Sequence, residues 1–141
     1  MINKIKIIAI GKVKERYLLE GINEYMKRLT SDCKIEIVEL KDEGMKKEAE
    51  KLMKYIGPHT FVLDAKGKEF SSEEFAEFLR KEEGGLEFII GGADGISEEI
   101  KKKSKMISLS RMTYTHEMTR LFLVEQIYRG YAIIKNKPYH K

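Results

Sequence analysis

The sequence predicts an α/β domain built on a largely parallel sheet with helices on both faces. Two observations predict it. Short apolar, β-branched runs alternate with amphipathic helical periods along the chain, the pattern of strand–helix–strand crossovers. No repeat, low-complexity tract or Pro/Ser-rich linker interrupts that alternation, and the only prolines are Pro58 and Pro138. The 141 residues therefore read as one domain, 1–141, near the ~100–150-residue mode for domains.

Each element has its own warrant. Ile5–Ile10 is an apolar run of strand length, and Lys14–Leu29 carries Leu18, Ile22, Tyr25 and Leu29 on one helical stripe. Lys34–Leu40 is β-branched and reads as a strand. Asp42–Ile56 reads as a helix with Ala49, Leu52, Met53 and Ile56 inward, stopped by Gly57-Pro58. Thr60–Asp64 is a third strand. Ser71 and Glu74 stand at capping-box spacing before Phe75, Phe78 and Leu79. Leu86–Ile90 is a fourth strand, broken by Gly91-Gly92, and Ser97 with Glu98 and Glu99 opens the next helix. Met106–Leu109 is a fifth strand, and His116–Lys135 is the last and longest helix, with Thr115 as its expected N-cap. Met118, Leu121, Phe122, Leu123, Val124, Ile127, Tyr128, Tyr131, Ile133 and Ile134 point in nearly every direction around that helix, which predicts cover on more than one side. A second copy of the chain is the expected cover, giving a homodimer through this helix.

Composition narrows the function. With 42% hydrophobic and 35% charged residues the chain is globular rather than disordered. Cys33 is the only cysteine, which excludes an internal disulfide framework and multi-cysteine metal centres. It reads as a small buried hydrophobe. His59, His116 and His140 have no metal-ligand spacing, so no metal is expected. No apolar run approaches the ~20 residues of a membrane span. Lys4, Lys6 and Lys12 break the N-terminal run as no secretory signal would, so the cytoplasm is the expected compartment. Residues 1–110 hold 21 basic and 21 acidic side chains, whereas 111–141 hold six basic and two acidic ones, so the whole net charge of +4 lies in the last 31 residues. That asymmetry points to a polyanionic partner or to a solvated helix and tail.

In parallel sheets ligands bind beyond the carboxyl ends of the strands. The exits here are Gly11–Lys14, Asp64–Phe70, Gly91–Gly95 and Ser110–Thr115. Gly91-Gly92-Ala93-Asp94-Gly95 is a structural turn or a ligand loop, but neither a dinucleotide fingerprint nor a P-loop. Asp64 can cap its turn or hold a ribose hydroxyl. The stretch from Ser108 to Thr115 is rich in hydroxyls and can present backbone amides to a heterocycle. His116 at a helix start is biased toward its neutral form, and the short Pro138-Tyr139-His140 tail is expected to fray.

Three stretches together are more specific. They are Ile7-Ile8-Ala9-Ile10-Gly11-Lys12 with the following helix ending Glu24-Tyr25-Met26-Lys27-Arg28-Leu29; Phe88-Ile89-Ile90-Gly91-Gly92-Ala93-Asp94-Gly95; and the run from Ser108 to the end, with Arg120, Glu125-Gln126-x-Tyr128-Arg129 and the terminal Pro-Tyr-His. Over essentially the whole chain the sequence resembles the ribosomal RNA large subunit methyltransferase H family, of the SPOUT (trefoil-knot) class. One departure is Thr115, where the family has proline before its motif histidine.

The resemblance implies an α/β sheet whose C-terminal part is tied in a trefoil knot, and a homodimer packed through the last helix. It implies methyl transfer from S-adenosylmethionine to N3 of a pseudouridine in 23S rRNA, on the assembled 70S ribosome. Family cofactor contacts fall on Leu63, Gly91 and the loop Leu109, Ser110, Arg111, Met112, Thr113 and Tyr114. For the chemistry, Arg129 and Arg120 are candidates to stabilise developing negative charge or anchor phosphates. His140 or His116 is the candidate proton acceptor, and Tyr139 the candidate stacking partner of a flipped base. Two other readings use the same residues. A non-catalytic ribosome-binding factor would bind no S-adenosylmethionine, and a dinucleotide-dependent oxidoreductase is opposed by the glycine spacing.

Overall fold

In a computed structural model describing residues 3–141, five strands form one parallel sheet in the order β2-β1-β4-β3-β5. Met1 and Ile2, included in the expected 1–141 domain, lie outside the described residues. The elements run β1 (Lys4–Ile10), α1 (Arg16–Leu29), β2 (Lys34–Leu40), α2 (Met45–Leu52) with a following 3-10 turn (Met53–Tyr55), β3 (Thr60–Glu69), α3 (Ser72–Lys81), β4 (Gly85–Ile90), α4 (Glu98–Lys103), β5 (Lys105–Ser108) and α5 (His116–Ile134).

Strand alternation sorts the core into two layers. Ile5, Ile7, Ala9, Phe88, Ile90 and Ile107 face α1, α3 and α5, and pack on Ile22, Leu79, Leu123, Ile127 and Tyr131. Ile8, Ile10, Val62 and Ile89 face α2 and α4, and pack on Ala49, Leu52 and Ile100. Helix α5 lies between α1 and α3 on the first face. Its approach is close enough that a methyl group on Gly130 would stand 2.6 Å from Leu79 Cδ1, and one on Gly21 of α1 3.1 Å from Leu121. The sheet and two helices of the same chain therefore account for most of the all-round apolarity of α5. Phe122 alone among its large apolar side chains is exposed, at 38%.

Local signals place most helix starts. Ser71 and Glu74 form a reciprocal capping box on α3, Ser97 caps α4, and Thr115 caps α5. Several boundaries shift from the sequence reading, two of them with a visible cause. Helix α2 begins at Met45 rather than Asp42, because Gly44 has φ +96 and the Glu48 carboxylate accepts the N–H groups of Glu43 and Gly44. Strand β3 runs to Glu69 rather than Asp64, because it meets β5 twice. Leu63 and Lys68 both pair with Ile107, so Asp64–Gly67 leaves the ladder and returns to the same residue.

The C-terminal tail is held rather than frayed. Helix α5 ends in a Schellman motif: Asn136 takes φ +56, its N–H donates to Ile133 O at 3.2 Å, and that of Lys137 donates to Ala132 O at 2.8 Å. This turn reverses the chain and brings Tyr139 and His140 back onto α5.

Gly67 is the tightest point of the β3–β5 contact. A Cβ there would stand 2.6 Å from Ile107 N and C and 2.7 Å from Met106 C, all backbone atoms. Gly67→Ala is expected to lower stability by about 1–3 kcal/mol, read as a fall in the urea midpoint at unchanged slope. A midpoint equal to wild type would show that the two strands separate freely.

Candidate functional site

The strand exits and the start of α5 enclose one cleft of about 920 Å³. Leu63 to Lys66 of β3, Ile90 to Ala93 at the end of β4, and Leu109, Ser110 and Met112 to Thr115 after β5 form one side. Glu15, Tyr17 and Leu18 at the start of α1 and the first turn of α5 form the other. Seven of the eight residues that the resemblance marks for the cofactor lie on its lining: Leu63, Gly91, Leu109, Ser110, Met112, Thr113 and Tyr114. Arg111 does not; its side chain points to solvent near Glu69, at 3.8 Å.

Hydroxyl groups shape the loop between β5 and α5. Ser108 Oγ donates to Ser110 O (2.7 Å) and accepts the Ser110 N–H, while Ser110 Oγ accepts the Met112 N–H at 3.0 Å. Thr115 Oγ1 accepts the Met118 N–H, and the Thr119 hydroxyl donates to Thr115 O. Thr115 has φ −61, close to the value a proline ring enforces. The Tyr114 ring meets Phe122 edge-on, 4.9 Å between centroids.

The glycine loop after β4 is a tight turn on the cleft wall. Gly95 has φ +80 and its N–H donates to Gly92 O at 3.0 Å. A Cβ on Gly91 would lie 2.9 Å from the Gly95 carbonyl carbon. Asp64 caps its own turn by accepting the Lys66 N–H (2.8 Å) and pairs with Lys101 at 2.9 Å. Burial alone would raise the Asp64 carboxyl, but these two partners hold it below the usual range. Sequence reasoning had singled out Asp64 but not Lys101, 37 positions away on α4.

Of the candidate catalytic residues, only His116 lines the cleft. Arg120 is 3% exposed; it pairs with Glu39 and donates from Nη2 to Gly11 O at 3.1 Å. It fastens α5 to the ends of β1 and β2, and its buried guanidinium meets no solvent through which to reach an RNA phosphate. Within the chain its partners are Glu39 and Gly11, away from the cleft lining. Arg129, Tyr139 and His140 form a separate cluster further along α5. Thirteen residues separate Arg129 from His116, roughly 20 Å at ~1.5 Å per helical residue. Arg129 donates to Glu125 (2.8 Å) and to His140 Nδ1 (3.0 Å). Because arginine only donates, Nδ1 carries no proton and His140 Nε2–H donates to Glu73 at 2.7 Å. The Tyr139 hydroxyl donates to Glu125 (2.7 Å) and accepts from Tyr25 (2.8 Å), while its ring lies edge-on to Tyr128 and beneath Arg129.

The basic C-terminal segment is largely spent on internal pairs: Arg120 with Glu39, Arg129 with Glu125, and Lys135 with Asp32. The Cys33 thiol, buried beside Tyr131, is pushed up to about 11 by burial and stays protonated. Among the described residues no helix is long and apolar enough to cross a membrane.

Comparisons with known proteins match this geometry to a family. The family model described as "Predicted SPOUT methyltransferase" matches residues 3–140. Proteins named "Ribosomal RNA large subunit methyltransferase H" match nearly end to end. The one from Carboxydothermus hydrogenoformans is 44% identical over 98% of this chain and 99% of its own length. Those from Caldicellulosiruptor saccharolyticus and Enterococcus faecalis are 46% and 42% identical, over 97% and 98% of this chain and 99% of each relative. Among solved structures, a probable methylase family protein from Haemophilus influenzae superposes with a TM-score of 0.61 at 12% identity, over all of this chain and 72% of that one. TrmJ from Z. mobilis superposes at 0.53 and 8% identity, over 92% and 70%. At such identities these two speak for the fold. With the parallel sheet and the full-length sequence match, they establish that the chain belongs to the SPOUT methyltransferase family.

Proposed function

We propose that this chain is a single-domain, cytoplasmic, S-adenosylmethionine-dependent methyltransferase of 23S rRNA that methylates N3 of a pseudouridine on the assembled 70S ribosome. The observation that carries the reading is the end-to-end match to relatives named for large-subunit rRNA methylation. The pseudouridine and the 70S context rest on the family resemblance.

The cleft suits the cofactor. Its volume lies within the ~300–1,000 Å³ of small-molecule sites. Leu63, Ile90, Leu109 and Met112 offer apolar wall, and the hydroxyl-braced loop offers fixed backbone groups. Bound there, S-adenosylmethionine supplies an electrophilic methyl carbon. The protein must hold the acceptor nitrogen in line, exclude water and take up the N3 proton. His116 is the candidate acceptor within the cleft, and His140 within the tail cluster.

In one protomer the cleft and the tail cluster are too far apart to serve one base. This separation supports the homodimer. Two copies of α5 packed antiparallel across their outer stripe, around Phe122, would set the tail of one protomer beside the cleft of the other. Tyr17 and Met112, 62% and 73% exposed at the cleft rim, supply further apolar surface for the contact. The trefoil knot draws support from the double pairing of Ile107 by β3.

Labelled S-adenosylmethionine offered to 70S ribosomes lacking the modification, with 50S subunits and free 23S rRNA in parallel, is expected to label N3-methylpseudouridine in 70S alone. Cofactor binding with no label in any substrate would assign a different RNA target; no binding and no label would favour the non-catalytic reading. Removal of Tyr139–Lys141 is expected to abolish transfer while calorimetry shows unchanged cofactor binding. The same split is expected for His140→Ala, which leaves the Tyr139 bonds to Glu125 and Tyr25 in place. Full activity in both variants would take substrate handling away from the tail.

A further inference from the structure

The five residues joining β1 to α1, Gly11–Glu15, are gripped from outside the loop at four backbone positions. The Gly11 N–H donates to Leu40 O at 2.7 Å, and the Gly11 carbonyl accepts Arg120 Nη2 at 3.1 Å. The N–H groups of Lys14 and Glu15 both donate to Glu117 Oε1, at 2.8 and 3.1 Å. Arg120 and Glu117 stand three apart in the first turns of α5, and their side chains are 3% and 12% exposed. A buried cation thus takes the loop's carbonyl, and a nearly buried anion takes its amides. Helix α1 needs the second contact, because it has no acidic residue in its first turn and Glu15 makes no side-chain cap bond. Glu117, more than a hundred residues away, instead holds the two amides that lead into the helix.

A loop fixed so firmly carries side chains that do nothing inside the molecule. Lys12 and Lys14 are exposed, and neither ammonium has a partner among the described residues. Neighbouring Arg16 is spent on Glu20. The loop borders the cleft, whose lining includes both Glu15 and Glu117. We propose that Gly11–Glu15 is a preformed phosphate-contacting element for RNA, with Lys12 and Lys14 touching the backbone beside the target base and Glu117 as the positioning residue. The proposal rests on the rRNA reading above. Ammonium groups on a backbone that is already ordered neutralise phosphates without the cost of ordering that backbone.

The test uses the full-length chain and measures binding, so it does not depend on turnover. Affinity for 70S ribosomes and for free 23S rRNA is followed from 50 to 200 mM salt for wild type, Lys12→Ala/Lys14→Ala, Glu117→Ala and Glu117→Gln. The double lysine variant is expected to bind both RNAs more weakly, with a log–log salt slope shallower by about 1.4–1.8, since each phosphate contact contributes about 0.7 on a single strand and about 0.9 on a duplex. Its melting temperature and S-adenosylmethionine affinity should equal those of wild type. Glu117→Ala should weaken RNA binding with both lysines present, and Glu117→Gln, whose amide oxygen still accepts both N–H groups, should restore it. Wild-type affinity and slope in the double variant would overturn the proposal, as would loss on 70S but not on free rRNA, which would assign the lysines to ribosomal protein. Wild-type binding by Glu117→Ala would remove the positioning role. A wild-type chain that binds ribosomes without methyl transfer would defeat the enzymatic reading and leave the lysine comparison readable.

Discussion

Ile107 pairs with β3 at Leu63 and again at Lys68, and the cleft depends on that double contact. Between the two pairings the chain rises over β5, so Asp64 and Lys66 stand on the cleft wall rather than continuing along the sheet. One residue beyond Ile107, Ser108 begins the hydroxyl-braced loop that lines the same side of the cleft. The two segments are therefore registered through a single backbone crossing, and only glycine at position 67 lets the chains approach that far. Without this constraint the same strands would make an ordinary parallel edge, with no reason for the exits of β3 and β5 to converge.

Helix α5 carries a second kind of constraint, in charge rather than shape. Arg120 ties it to Glu39 and Gly11, Glu117 to the start of α1, and Glu125 and Arg129 to the returning tail. Partly buried charges of this kind persist where each is met by a partner of opposite sign or by backbone dipoles. Burial would raise the Glu117 carboxyl, yet the two amides of Glu15 and Lys14 hold it below the usual range. The ionised form is the one that fastens the loop.

How much of this was legible depends on the range of the interaction. Ser71 with Glu74, Ser97 and Thr115 act within three residues, and the helices they cap begin where the pattern says. The alternation of apolar runs gave the parallel sheet for the same reason. Contacts between distant residues left no local trace. Nothing near Thr60–Asp64 announces that β3 returns to Ile107, and nothing in the Pro-Tyr-His tail shows that Tyr139 reaches Glu125 and Tyr25. Asn136 was the one available sign of the reversal, as a residue that tolerates the left-handed turn. The apolarity of α5 was read correctly as cover on several sides, but α1 and α3 provide most of it. The basic residues after position 110 are mostly paired within the chain, while Lys66 lines the cleft and Lys12 and Lys14 stand on the N-terminal loop that borders it. Asp64, Gly91 and the loop after β5 were legible as strand exits before any resemblance was considered, because the sheet's polarity alone directs ligands there.

The state of Cys33 has a practical consequence. It is the chain's one thiol, sealed under Tyr131 and kept protonated at neutral pH. A cysteine introduced on the surface would react with a fluorophore or spin label while the native one stays silent. Distances across a dimer, or between the tail and the cleft, become accessible without first editing the core.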